Sequence, residues 1–175
     1  LERTLRAANV AGITVTAAAG DTGSTGCSLD DNAAALPGAA VWYPSSSSWV
    51  TGVGGTNFSL NSANRITEEV VWNDSPTAFG GGGGGTSIGI KKPAWQSGPG
   101  VGTGEGREVP DIALLSDSIP GYPIYCAASA CLGGWRNVGG TSAATPLFAS
   151  GIAIANQQAK AAGQAQLGFL NRTIY

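Results

Sequence analysis

The chain has 175 residues, enough for one domain with a core of its own, and only 11% of them are charged. A net charge of −2 gives no reason to expect a nucleic-acid partner, and no window of about 18 uninterrupted apolar residues would cross a membrane. Histidine is absent altogether, so any serine nucleophile here would have to do without its usual base.

Residues 2–11 carry Leu5, Ala8 and Val10 among charged neighbours and stop at Gly12, which predicts a helix end. Leu1-Glu2-Arg3 does not open a charged and then apolar leader. Ile13–Ala19 is a nearly continuous apolar run, the pattern of a parallel strand buried on both faces, and it delivers Asp21 to its C-terminal end. Asp30-Asp31-Asn32 is an oxygen-rich cluster that reads as a polar surface loop rather than a cation site. A second buried strand is expected over Ala39–Tyr43, ended by Pro44 and Ser45–Ser48, and a third over Trp49–Val53, closed by Gly54-Gly55-Thr56.

Asn57–Trp72 alternates about a turn at Asn61–Asn64 and predicts a β-hairpin. Residues 79–87 run Phe, six Gly, Thr, Ser: either a flexible surface loop, or an open backbone edge that a peptide could approach at Gly81, Gly82 and Gly83. No Gly-Lys-Ser/Thr follows, so this is not a phosphate loop. Gly98–Gly106 is a second glycine-rich loop, Ile112–Leu115 a strand, and Pro123–Cys126 with Trp135–Val138 a strand pair. Between that pair, Cys126 and Cys131 are spaced for a small disulfide loop or stand as two buried thiols, and Cys27 is left over. Ala143–Ala162 is the strongest helix, with Pro146 in its first turn, Gly163 past its end, and an apolar surface almost all round that predicts burial. Strands, helices and glycine turns in this order fit an α/β fold with a mainly parallel sheet flanked by helices.

The chemistry concentrates at Gly139-Gly140-Thr141-Ser142-Ala143-Ala144-Thr145-Pro146. Ser142 at the start of a helix is placed for nucleophilic attack, because free N–H groups and the helix dipole favour negative charge there. Taken alone, a helix cap would explain the serine better; the Gly-Gly-Thr before it, Pro146 after it and Asp21 in its segment tip the reading to the nucleophile. Glycine at 140 and the backbone of Thr141 would leave room for a substrate chain.

Residues 140–146 reproduce the Gly-Thr-Ser-Ala-x-x-Pro nucleophile motif of the sedolisins, or serine-carboxyl peptidases, which share the subtilisin fold and use glutamate where subtilisins use histidine. Three more segments are similar in order and spacing: Gly12–Ser24, with Thr22 in place of the family's serine; Val109–Ala113 followed by Gly121-Tyr122-Pro123; and Leu167-Gly168-Phe169-Leu170-Asn171. Pro93-Ala94-Trp95-Gln96 after the glycine run also resembles the family.

The resemblance implies a secreted acid endopeptidase acting on peptides or unfolded proteins, with Ser142 as nucleophile and Asp21 helping to form the oxyanion hole. A carboxyl group donates a hydrogen bond only when protonated, which acid solution or burial provides. An oxidising compartment also favours the Cys126–Cys131 disulfide. Few carboxylates leave few native ion pairs to lose in acid, although Gly- and Ala-rich secreted proteins share this composition.

The family's Glu–Asp base pair and its calcium site match nothing in residues 1–175. The chain therefore reads as the C-terminal part of one catalytic domain, without the upstream Glu/Asp segment and the downstream metal ligands. The remaining N- and C-terminal parts are its expected partners, and alone it should be nearly inactive. Glu68, Glu69, Glu105 and Glu108 read as solvated, Asp111 as structural or at the rim of the cleft, and Asp117 as a loop residue. A Gly-rich secreted binding domain, its five Trp and four Tyr lining a surface, is the competing class, and a histidine-dependent subtilisin relative cut before its histidine is the third.

Overall fold

The computed structural model describes residues 1–26, 39–74, 80–128, 131 and 133–175. Cys27 and Asp30-Asp31-Asn32 lie outside the described residues. Helix α1 (Glu2–Val10) leads into strand β1 (Thr16–Ala18) and then the long β2 (Thr51–Leu60), which turns back as β3 (Ile66–Val71). Strands β4 (Gly85–Lys91), β5 (Gly106–Val109), β6 (Ile112–Leu115), β7 (Tyr122–Cys126) and β8 (Gly134–Val138) follow, and helices α2 (Thr141–Ala161) and α3 (Asn171–Ile174) close the chain.

Strand β2 organises the molecule. Its first half pairs in parallel with β1 (Thr16 opposite Thr51) and with β6 (Val53 opposite Ile112), and its second half is antiparallel to β3. Val50, Thr51 and Val53 are fully buried, and α2 packs over β1, β2 and β6. Gly52, Gly54 and Gly55 sit where a Cβ would collide with Val109, Pro110 and Ser116. Close packing of β2 therefore calls for small residues, and Gly54-Gly55-Thr56 continues the strand instead of closing it.

Both main helices end alike. Gly12 (φ +77°) and Gly163 (φ +70°) take the left-handed conformation, and the next residue's N–H returns to the third carbonyl from the helix end, Ile13 to Ala8 and Gln164 to Ala159. The expected hairpin forms, with Asn61 Oδ1 accepting from the N–H groups of Ala63 and Arg65 across its turn. Strands β7 and β8 pair antiparallel with Tyr125 opposite Trp135, and the Cys126–Cys131 disulfide ties their tip.

The structure corrects four expectations. Ala39–Tyr43 is not a buried strand. Ala40 makes a single bridge to Thr25, and the exposed Trp42 lies against Gly20 and Gly26, so the segment's apolar character covers a turn rather than filling a sheet. Strand β1 is three residues long and half-buried. Pro146 is the sixth residue of α2, beyond the first turn; lacking an N–H, it leaves the Ser142 carbonyl without its usual i+4 donor. Nor is α2 buried all round: only Thr141 and Ala144 are, because the N-terminal turn alone is driven into the sheet, while Leu147 and Ile154 stand exposed. No helix among the described residues is long and apolar enough to cross a membrane.

Candidate active site

The site forms where the end of β1 meets the start of α2. Strand β8 runs into Gly139 and Gly140, and the Gly140 N–H donates to the Ser116 carbonyl at 2.5 Å just past β6. A Cβ at Gly139 would collide with Ser116, and one at Gly140 would lie 2.9 Å from Asp21 Oδ2. Gly140, at φ +95°, is the helix N-cap and offers no side chain to cap it. Ser142 is therefore the second helical residue and not a cap, with an exposed side chain.

Asp21 reaches this turn from the opposite side. Its Oδ1 accepts two hydrogen bonds from Thr141, from the backbone N–H at 2.7 Å and from Oγ1 at 2.9 Å. The same Oγ1 accepts from the Gly20 N–H at 3.1 Å, so Thr141 is held from both directions and is fully buried. No hydrogen bond reaches Asp21 Oδ2 among the described residues, and that oxygen faces the Gly140 backbone. Of the first helical N–H groups, Thr141 donates to Asp21 and Ala143 to the Gly140 carbonyl. The Ser142 N–H is left over among the described residues. Two groups, the Ser142 backbone N–H and Asp21 Oδ2, thus stand open at the start of α2 among the described residues.

The glycine run is packed. Gly81 donates to the Asp21 carbonyl at 3.0 Å and accepts from Gly23, and Gly83 donates to the Gly20 carbonyl at 2.7 Å. A Cβ at Gly82 would meet Gly55, and one at Gly83 would collide with Ala19. Residues 80–84 therefore back the Asp21 turn, and Gly80, Gly82 and Gly83 have no room for side chains.

The other carboxylates have structural partners. Asp111 is wholly buried at its side chain, as is its ion-pair partner Arg107 at 2.5 Å. Its Oδ2 also accepts from the Gly52 N–H and Asn171 Nδ2, and its Oδ1 from the Tyr175 hydroxyl. Asn171 Oδ1 in turn accepts from Thr51 Oγ1 at 2.6 Å, and the Arg107 guanidinium lies over Trp95, 5.1 Å from its centroid. The Pro-Asp and Leu-Gly-Phe-Leu-Asn motifs are thus two ends of one buried network.

Asp117 is buried, accepting from Asn57 Nδ2 and the Ile119 N–H, and fixes the loop after β6. Glu108 departs from expectation: it is not freely solvated but pairs with Lys92 at 2.6 Å and accepts from the Gly102 N–H, and these hydrogen bonds hold its carboxyl below the ordinary glutamate range. Burial raises the Tyr175 and Tyr122 phenols.

Among the described residues no group of three or more Asp, Glu, Cys or His side chains converges to hold a metal ion. The aromatic residues do not form a coplanar platform. Trp49, Trp95, Phe169 and Tyr175 pack against one another at tilted or edge-on angles, Trp72 is buried, and the exposed Tyr125–Trp135 pair meets edge-on at 72°. This weighs against the binding-domain alternative.

The sequence singles out Ser142 and Asp21 as candidates but does not reveal the link from Asp21 to Thr141. Thr141 was expected at the substrate, and its side chain is spent on Asp21 and Gly20. The signal available was its place as first residue of the helix, one before the candidate nucleophile.

No protein-family model matches the chain. It is 39% identical to kumamolisin from a Bacillus species over 170 residues, 94% of the chain and 28% of that protein. It is 38% identical to sedolisin from a Pseudomonas species over 62% of the chain and 18% of the relative, and 33% identical to human tripeptidyl-peptidase 1 over 94% and 28%. Its fold superposes on the solved structure of Pseudomonas sedolisin, a serine-carboxyl proteinase complexed with two molecules of pseudo-iodotyrostatin, with a TM-score of 0.76 and 31% identity over 98% of the chain and 45% of that structure. The chain thus spans less than a third of the curated relatives it matches. By sequence over nearly its whole length, and by its subtilisin-like α/β fold, the chain belongs to the sedolisin family.

Proposed function

We propose that the protein is a serine-carboxyl endopeptidase working in acid on peptides or unfolded proteins. The observation that carries this is that Asp21 Oδ2 and the Ser142 N–H are both left open at the start of α2, where Ser142 is exposed. Ser142 Oγ attacks the peptide carbonyl carbon while a glutamate outside residues 1–175 takes its proton. The carbonyl oxygen gains negative charge and receives hydrogen bonds from the Ser142 N–H and from protonated Asp21. Such donors usually supply the largest share of catalysis, because they are aimed before the charge appears. The same glutamate then protonates the leaving amine, and water releases the acyl group.

Gly81, Gly82 and Gly83 would back the cleft behind the Asp21 turn, and Gly140 and Thr141 would lie beneath the Asp21 carboxyl. The rest of the catalytic domain would supply the base and cover the apolar side chains that α2 leaves exposed. Calcium, where the family resemblance implies it, would be held by residues other than those described, and no step above passes through it. The Cys126–Cys131 disulfide suits secretion.

The test is cleavage of an unfolded protein at acid pH by the full-length protein and its Ser142→Ala variant. Loss of cleavage in the variant is expected; undiminished cleavage would remove Ser142 from the mechanism.

A further inference from the structure

Thr141 has the geometry of a residue that decides where the Asp21 proton sits. Both of its donors converge on one carboxyl oxygen, Oδ1, and its Oγ1 is oriented by accepting from Gly20. An oxygen already accepting two hydrogen bonds is a poor place for an acidic proton, since an O–H there would point at the incoming donors. The other oxygen, Oδ2, receives none among the described residues and faces the Gly140 backbone at the start of α2. Gly140 lacks a Cβ where one would stand 2.9 Å from that oxygen.

Building on the proposed peptidase reading, we infer that Thr141 is a positioning residue: it saturates Asp21 Oδ1 and so directs the carboxyl proton to Oδ2, where it meets the oxyanion. Thr141 itself touches no substrate, because its side chain is fully buried. It acts only through Asp21. Ground-state binding, which does not use the oxyanion donor, is therefore spared, and the effect falls on the transition state.

The experiment uses the full-length protein with Thr141→Val, which keeps the shape and the backbone N–H but loses the hydroxyl, and Thr141→Ser, which restores it. Thr141→Val is expected to lower kcat roughly 10- to 100-fold, the range in which a misplaced catalytic group acts, with KM within about twofold. A peptide aldehyde adds the Ser142 hydroxyl across its carbonyl to give a hemiacetal whose oxygen sits as the oxyanion does. Its affinity should fall with kcat, while the matching peptide alcohol, which forms no such bond, binds as before. Thr141→Ser should recover most of the activity. Wild-type kcat in Thr141→Val overturns the inference, as does a loss that affects the alcohol equally and is not rescued by serine. If Thr141→Val fails to fold, Thr141→Ser decides: near-normal kcat with unchanged aldehyde affinity supports the inference, and loss of both overturns it. Ser142→Ala separates the two levels: if it stays active the peptidase reading itself fails, and if it is dead while Thr141→Val is unaffected only the role of Thr141 falls.

Discussion

Asp21 and Asp111 are both motif aspartates close to β2, yet they are held in opposite ways. Asp111 is buried with both oxygens occupied, by Arg107, the Gly52 N–H and Asn171 on one and by Tyr175 on the other. Asp21 is half-buried, with one oxygen saturated by Thr141 and the other open. A carboxylate with every acceptor site taken by donors and a guanidinium is committed to holding the structure together. One with an oxygen left open stays available to a further partner. Occupancy of the two oxygens, more than burial or motif membership, separates the structural acid from the proposed catalytic one.

Several changes would break or sharpen that contrast. The largest expected effect is Ser142→Ala in the full-length protein, a loss of at least about 10⁴-fold in kcat with stability unchanged, in line with the loss of a nucleophile elsewhere. Asp111→Ala strands the Arg107 guanidinium in the core, and chemical denaturation should show a destabilisation of about 3–5 kcal/mol, with activity lost only as the fold is lost. Asp21→Ala should do the reverse: a fall in kcat of about 10²–10³-fold, the usual cost of one oxyanion donor, with a melting temperature close to the parent's.

The smallest effect concerns Glu108. Its carboxyl is held low chiefly by the hydrogen bond from Lys92, so its contribution is full above the ordinary glutamate range and disappears as the pH falls through the lowered native value. Glu108→Gln should therefore cost under about 1 kcal/mol at neutral pH, as a partly exposed pair does, and nothing in strong acid. Melting curves at the two pH values would check this.

Much of this was legible in the sequence for physical reasons. The Gly-Thr-Ser turn, the Asn61–Asn64 hairpin and the paired strands at Cys126–Cys131 are local, and their residues carry the signal themselves. What was not legible depends on partners far along the chain. Trp42 packs on Gly20 and Gly26, so its apolar segment looked like a strand. The pairing of β4 with β5 bridges a glycine-rich loop whose composition says nothing about its closure. The glycine run looked loose because glycine signals flexibility and close packing alike, and only the positions of Gly55 and Ala19 decide between them. The burial of Thr141 follows from Asp21, which lies 120 residues away.

The most direct test of the central claim is a crystal structure of the full-length protein with a peptide aldehyde bound. The account predicts a covalent bond from Ser142 Oγ, with the hemiacetal oxygen about 2.5–3.0 Å from Asp21 Oδ2, within reach of the Ser142 N–H, and Oδ1 still bound to Thr141. A hemiacetal oxygen turned away from Asp21, or one contacted by Oδ1 with Thr141 released, would contradict it.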